Sequence, residues 1–255
     1  ILSFTESSLH HLEYVIVDFE GNESKLPIVI QSIAGINSTH KGNVPEGTVH
    51  FSIDQLNSFS AENIEISLPG SCLYRDLWFE YEAAAMPDGG FSRVHRIHND
   101  RTPVHKFFTV KVFPDSLTVD TDKLLLARIT DEGDYISYGG KWEEGGLKAS
   151  IRSFGNYVIL IDTLPPEINP VNIASGLIKA DRKTVKVKIK DDLSGIKRFR
   201  ATLNGDWLLM EYDAKNNLLI YYIDERLKKG ENEFRLEVKD QRGNEVVFEK
   251  VLVRE

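Results

Sequence analysis

Seven histidines, one cysteine and a few aspartates at predicted turns are the side chains with the means to do chemistry in this 255-residue sequence. The histidines are His10, His11, His40, His50, His95, His98 and His105. Only His95-x-x-His98-x-Asp100, with His105 following, has the density of a metal site. Zinc needs three or four converging ligands, and an HxxH on a loop leaves the geometry between its imidazoles open. A solvated loop beside a strand start is the plainer reading, and no metal is expected there. The sequence holds no Gly-x-Ser-x-Gly elbow, no phosphate-binding Gly-x-x-x-x-Gly-Lys and no His-Glu-x-x-His helix. Cys72 precedes a strand without a histidine partner and reads as a small buried residue. No catalytic residue and no cofactor is expected.

The turn aspartates Asp18, Asp191, Asp192 and Asp240 could serve calcium together with backbone carbonyls. Aspartate at a turn more often accepts hydrogen bonds from its own backbone, and that reading is preferred. Trp78, Trp142, Tyr138 and Trp207 could form a sugar platform, but aromatic residues in β-sandwiches are more often core. The alternation after residue 183 sets Val185, Val187 and Ile189 on one face and Lys186, Lys188 and Lys190 on the other. With Arg198 and Arg200 expected alongside on a neighbouring strand, these five form a candidate basic stripe. Its functional reading is contact with an anionic polymer; its plainer role is to keep a strand from pairing with other molecules.

Composition limits the partners. The net charge of −8 is uneven, with 13 Lys+Arg against 23 Asp+Glu over residues 1–164 and 18 against 16 over 165–255. That acidic majority argues against nucleic acid. No apolar run nears the ~20 residues that span a bilayer, so the chain is not read as membrane-spanning. A lone cysteine excludes an internal disulfide framework.

The elements that would position these side chains read as strands. Tyr157 to Ile161 is a short apolar run between Gly155-Asn156 and Pro165-Pro166, and reads as a fully buried strand followed by a stiff hinge. Upstream, runs at Val49–Ile53, Ile64–Leu68, Leu77–Tyr81, Phe107–Val112, Leu124–Ile129, Tyr135–Tyr138 and Leu147–Ile151 are separated by Gly/Pro turns, with Met86–Thr102 as a surface loop. Downstream come Val185–Ile189, Phe199–Leu203, a type I′ hairpin at Asn204-Gly205, Trp207–Met210, Leu218–Tyr222 and a closing hairpin, with at most a helical turn at Leu227–Gly230. The closing hairpin bends at Asp240-Gln-Arg-Gly-Asn-Glu245, and an earlier one bends at Asp18-Phe-Glu-Gly-Asn-Glu23. The expected fold is all-β: tandem antiparallel β-sandwiches, the last immunoglobulin-like. Its parts are a closing hairpin of a truncated similar module over 1–33, a middle sandwich over 34–163, with a connector bearing Gly35, Gly42 and Gly47, and a C-terminal sandwich over 164–255.

Several motifs run in order: Ser153-Phe154-Gly155-Asn156-Tyr157, Asp162-Thr163-Leu164-Pro165-Pro166, Asp192-Leu193-Ser194-Gly195-Ile196, Thr202-Leu203-Asn204-Gly205-Asp206-Trp207 and Met210-Glu211-Tyr212-Asp213. Together they resemble the C-terminal β-sandwich region of secreted lysostaphin-like zinc metallopeptidases of Gram-negative bacteria. The family's His-x-x-x-Asp and His-x-His zinc ligands are not in this sequence. The resemblance therefore implies a non-catalytic accessory region of a secreted, peptidoglycan-directed metallopeptidase. Its partners would be an upstream catalytic domain of the same polypeptide and a cell-wall polymer, in the periplasm or at the cell surface. The alternative is a stand-alone extracytoplasmic carbohydrate- or protein-binding module.

Overall fold

The computed structural model describes residues 6–33, 46–115 and 119–255. His40 and the connector glycines Gly35 and Gly42 lie outside the described residues. The chain divides into two units, Ile1–Glu46 and Gly47–Glu255. Strand is the dominant element throughout, with 3-10 turns at Thr121–Lys123 and Ala214–Asn216. Among the described residues no helix is long and apolar enough to cross a membrane.

The described residues of the first unit form a hairpin, β1 (Leu9–Val17) and β2 (Glu23–Gln31), paired antiparallel from Leu9↔Gln31 to Val17↔Glu23. Its bend is built by one aspartate. Asp18 Oδ1 accepts the backbone N–H of Glu20 and of Asn22 at 2.9 Å each, and Asn22 Nδ2 donates to Asp18 Oδ2 at 2.8 Å.

The second unit opens with a sandwich of short strands. They are β3 (Val49–Phe51), β4 (Asn57–Ala61), β5 (Ile64–Leu68), β6 (Leu77–Phe79), β7 (Tyr81–Ala84), β8 (Val94–Ile97), β9 (Phe108–Val112), β10 (Leu124–Ile129), β11 (Tyr135–Gly139), β12 (Lys141–Glu143), β13 (Gly146–Ile151) and β14 (Gly155–Ile161). One sheet runs β11-β10-β14-β8-β7, the other β12-β13-β9-β5-β4, and β3 pairs with β6. Period-two alternation decides what is inside: Ile64, Ile66 and Leu68 from β5, Phe108, Val110 and Val112 from β9, and Leu147, Ala149 and Ile151 from β13 meet Leu124, Leu126, Tyr157 and Ile159. The unbroken apolar run of β14 has a further cause. Its other face, Val158 and Leu160, joins Leu125 and Ala127 of β10 in a second buried cluster against which Leu193 packs. A strand covered on both faces carries no polar alternation.

A second sandwich follows, made of β15 (Glu167–Pro170), β16 (Leu177–Ile178), β17 (Thr184–Lys190), β18 (Ile196–Leu203), β19 (Asp206–Leu208), β20 (Glu211–Asp213), β21 (Leu218–Tyr222), β22 (Gly230–Asp240) and β23 (Glu245–Arg254). Its sheets run β15-β17-β21-β20 and β16-β23-β22-β18-β19. Val185, Val187, Ile189, Leu203, Leu236 and Val238 fill its core, with Phe199 packed at the edge. The β18–β19 turn is the expected type I′, with Asn204 at φ 53° and Gly205 at φ 86°, conformations that asparagine and glycine alone adopt at little cost. The all-β, tandem-sandwich reading of the sequence thus describes the chain.

Several local expectations are corrected. Met86–Thr102 is no loop: it contains β8, which lies between β7 and β14 because Ile97 and His95 are core-facing. The run Leu77–Tyr81 splits, β6 pairing with β3 and β7 with β8. The run Trp207–Met210 also breaks: β19 stays with β18, and the chain then crosses to the opposite sheet as β20. Leu227–Lys229 is irregular chain with no helical turn, and Gly230 already begins β22.

Candidate functional site

The densest convergence of ionisable groups lies between the two sandwiches. Asp162 ends the first, Asp191 and Asp240 sit in turns of the second, and carboxylate oxygens from all three lie within 4.8 Å of one another. Asp162 and Asp240 are buried. Asp162 Oδ2 accepts the Ser194 N–H at 3.2 Å, and Asp191 Oδ2 accepts the Gly195 N–H at 2.6 Å. Asp240 Oδ1 accepts the N–H groups of Arg242 and Asn244, and its Oδ2 accepts from Asn244 Nδ2 at 2.6 Å. Burial, and then the neighbouring Asp162 and Asp240, hold the Asp191 carboxyl above its ordinary range. The cluster has a cationic surround. Lys123 Nζ donates to Arg242 O and to Asn244 Oδ1, Asn244 Nδ2 donates to Asp162 O at 3.0 Å, and Arg242 Nη1 donates to Leu124 O at 2.8 Å and Gly140 O at 3.1 Å.

Such a trio has the donor type that hard cations take. Most of its oxygens, however, already accept N–H groups; the Asp191 and Asp240 bonds are local to their turns, while the Ser194 N–H bond to Asp162 ties the second sandwich to the first. The turn-forming reading of Asp191 and Asp240 therefore accounts for their hydrogen bonds. Asp18 does the same in the first hairpin, and Asp192 instead pairs with Lys190. Sequence reasoning missed Asp162, Lys123 and Arg242 as members of this junction. The available signal was that Asp162 directly precedes the Pro165-Pro166 hinge.

The histidine cluster does not converge on a point. The His95 ring is buried with Nδ1 2.8 Å from the Tyr81 hydroxyl, His98 Nε2 is 3.1 Å from Thr102 Oγ1, and His105 Nδ1 is 3.2 Å from the Tyr74 hydroxyl. Asp100 is exposed. The solvated-loop reading of these four is corrected at His95, whose imidazole is fully inside the core. Burial depresses its pKa to about 4, so it stays neutral. Cys72 is buried with Sγ 3.3 Å from Lys106 O, and burial raises its thiol pKa. Burial thus disfavours the nucleophilic thiolate. Among the expected aromatic platform, Tyr138 and Trp142 pack on the first core, whereas Trp207 is 58% exposed.

The basic stripe is divided. Lys186, Lys188 and Lys190 do share the outer face of β17, but β17 pairs with β15 and β21. Arg198 and Arg200 belong to β18 in the opposite sheet, so they do not lie alongside. The sequence could not settle this, because strand adjacency in a sandwich is decided by which sheet each strand joins. Charge is also locally cancelled: Lys190 pairs with Asp192, and Arg198 lies 3.7 Å from Glu245.

The β1–β2 hairpin repeats β22–β23 in detail. Asp240 and Asn244 make the same three hydrogen bonds as Asp18 and Asn22. The pair Val17↔Glu23 flanks the first bend as Lys239↔Glu245 flanks the second. Counting back from the bends, Leu12, Tyr14 and Ile16 occupy the positions of Phe234, Leu236 and Val238, all core residues. Leu26 stands where Phe248 packs. The opposite face carries ion pairs among valines in both, with Lys25 near Glu13 and Glu23 as Arg235 is near Glu237 and Glu249. Yet Tyr14 is 62%, Ile16 59% and Leu26 59% exposed.

Residues 48–162, rather less than half of the chain, match the family model of the Zu5-like domain. No curated protein matches the sequence significantly. Two solved structures are similar over nearly the whole chain. One is PcdhgB3 EC1-4: 14% identity, TM-score 0.26, covering 98% of this chain and 83% of that one. The other is the protocadherin gamma B4 extracellular domain: 9% identity, TM-score 0.26, covering 99% of this chain and 42% of that one. Superposition at that level bears on no site. The Zu5-like match overturns the resemblance to lysostaphin-like peptidases. With it go the reading as a peptidase accessory region and its peptidoglycan, periplasmic and Gram-negative corollaries. The physical reason lies in the motifs. Phe154 is core, Tyr157 Oη donates to Ser153 O at 2.7 Å, Asp162 and Ser194 join the two sandwiches, and Asn204-Gly205 makes a tight turn. Each serves sandwich construction, which any tandem β-sandwich shares.

Proposed function

We propose that the chain is a non-catalytic, extracytoplasmic protein-binding module that offers its β1–β2 hairpin to a β-sheet of a partner protein. The observation behind this reading is the detailed likeness of an exposed hairpin to one that, in the same chain, closes a sandwich. A two-stranded hairpin is marginal in water. Complete burial of Leu12, Tyr14, Ile16 and Leu26 would contribute roughly 1.5–3 kcal/mol each. Among the described residues β1 pairs with no strand but β2, so its other edge can accept an antiparallel strand, the position β18 holds beside β22. In this reading the β1–β2 hairpin is the closing hairpin of an immunoglobulin-like module whose remaining strands come from the partner.

The test places a photoactivated cross-linking amino acid at Tyr14, or at Asp213 as control, in the protein produced at natural abundance in its own cells. A discrete protein adduct at position 14 that is missing at 213, and that is lost with Ile16→Lys, is expected. Indistinguishable adducts from both positions, or none from position 14, would refute the hairpin as the binding element. Protease added to intact cells should cleave the chain if the location is extracytoplasmic.

A further inference from the structure

A second surface goes beyond the hairpin and does not depend on it. At one end of the first sandwich the segments Leu73–Leu77 and Asn99–Pro103 enclose a cleft of about 400 Å³. Its floor is apolar, from buried Leu73 and half-buried Leu77, and Pro103, Tyr74, Arg75 and Arg101 are exposed around it. Both segments are anchored. A bridge pairs Leu73 with Val104, the His105 N–H donates to Cys72 O at 2.8 Å, and the Arg101 N–H donates to Asn99 Oδ1 at 3.0 Å.

The charges at this rim have no internal use. Among the described residues neither Arg75 nor Arg101 has an ion pair or a side-chain hydrogen bond. Asp76, adjacent to Arg75, is already engaged, its Oδ1 accepting the Ile53 N–H at 2.8 Å and its Oδ2 lying 3.4 Å from His50 Nε2. Two arginines of this sandwich are taken up, Arg93 by Asp115 and Glu62 and Arg96 by Glu82, while Arg152 lies over the Phe107 ring and Arg128 Nε is buried without a partner among the described residues. Arg75 and Arg101 differ from these in being exposed together at one cleft, in a stretch where residues 48–162 hold 17 acidic side chains against 11 lysines and arginines. Unused guanidiniums in an acidic domain favour an anion supplied from outside. A planar guanidinium fork matches a carboxylate bidentately, and the apolar floor gives carbon chains a place that an inorganic anion would not use.

We infer that this cleft binds a carboxylate-bearing peptide segment, its acidic side chains held by Arg75 and Arg101 and a neighbouring apolar side chain lying on Leu73, Leu77 and Pro103. The experiment titrates the full chain with a fluorescein-labelled peptide of alternating Glu and Leu. Parallel arms use the same peptide with Gln for Glu, a heparin oligosaccharide and inorganic phosphate. Saturable binding of the Glu peptide is expected, lost with the Gln peptide and weakened at least about tenfold by Arg75→Gln or Arg101→Gln. Leu77→Ala should weaken it several-fold without changing its salt dependence. Both arginines are exposed, so their substitution leaves the fold intact, which the circular dichroism of each variant verifies. Absence of binding, equal affinity of the two arginine variants and the parent, or tighter binding of heparin or phosphate than of the Glu peptide would overturn the proposal.

Discussion

Removing the proton-binding site of His95 should change how stability depends on pH, in a direction and by an amount the structure specifies. The imidazole sits on β8 between Tyr157 and Ala83, fully buried, with Nδ1 bonded to Tyr81 and Nε2 without a partner. Burial is the main cause of its depressed pKa of about 4; Asp115 opposes the shift and Arg93 adds to it. The unfolded chain takes up this proton near pH 6.5, while the folded chain resists until about pH 4. Between those values the unfolded state binds more protons, so His95 costs nothing above pH 6.5 and an increasing amount as pH falls to about 4. At ~1.4 kcal/mol per pH unit the loss totals ~3 kcal/mol, and it levels off below pH 4. The assay is urea unfolding by tryptophan fluorescence in a Trp207→Phe background, so that Trp78 and Trp142 report the first sandwich alone. His95→Gln is compared with its parent at intervals from pH 7.5 to 3.5, and groups common to both proteins cancel in the difference. The parent should lose stability relative to the variant only below pH 6.5, reaching ~3 kcal/mol near pH 4. Parallel curves across that window would show that His95 is not held neutral by the core.

Two further outcomes follow from the junction and the first core. Asn244→Ala strips Asp162 O of a donor and Lys123 of an acceptor, so it should cost about 2 kcal/mol and separate the unfolding of the two sandwiches, read as a second calorimetric transition; one undivided peak would count against the junction as a tie. Tyr157→Phe removes the 2.7 Å bond to Ser153 O with little change in volume, and should lower urea stability by about 1 kcal/mol, whereas an unchanged midpoint would mean that the hydroxyl holds nothing in place.

Period-two alternation, glycine and asparagine at bends and the prolines of the hinge were enough, from sequence alone, to establish strands, sandwiches and their order. These are local consequences of side-chain size and backbone conformation, which is why Val185, Val187 and Ile189 point inward as read and Asn204-Gly205 turns as read. The repeated Asp-x-x-Gly-Asn-Glu bend was legible for the same reason, since Asp18 and Asp240 act on backbone within four residues. Pairing between distant segments was not. The sequence placed Arg198 and Arg200 beside the β17 lysines, but only the assembled sheets decide that β17 meets β21 and β18 meets β22. Likewise His95 read as part of a solvated loop, whereas β8 lies between β7 and β14 and places its ring inside. Asp162, Asp191 and Asp240 lie far apart along the chain and become neighbours only when the second sandwich seats on the first. The cleft under Arg75 and Arg101 likewise exists only because two segments some 25 residues apart are held side by side by the Leu73↔Val104 bridge. A sequence records which residues want to be buried or turned; which of them face one another is settled by packing, where burial and long-range hydrogen bonds select one pairing of strands over its alternatives.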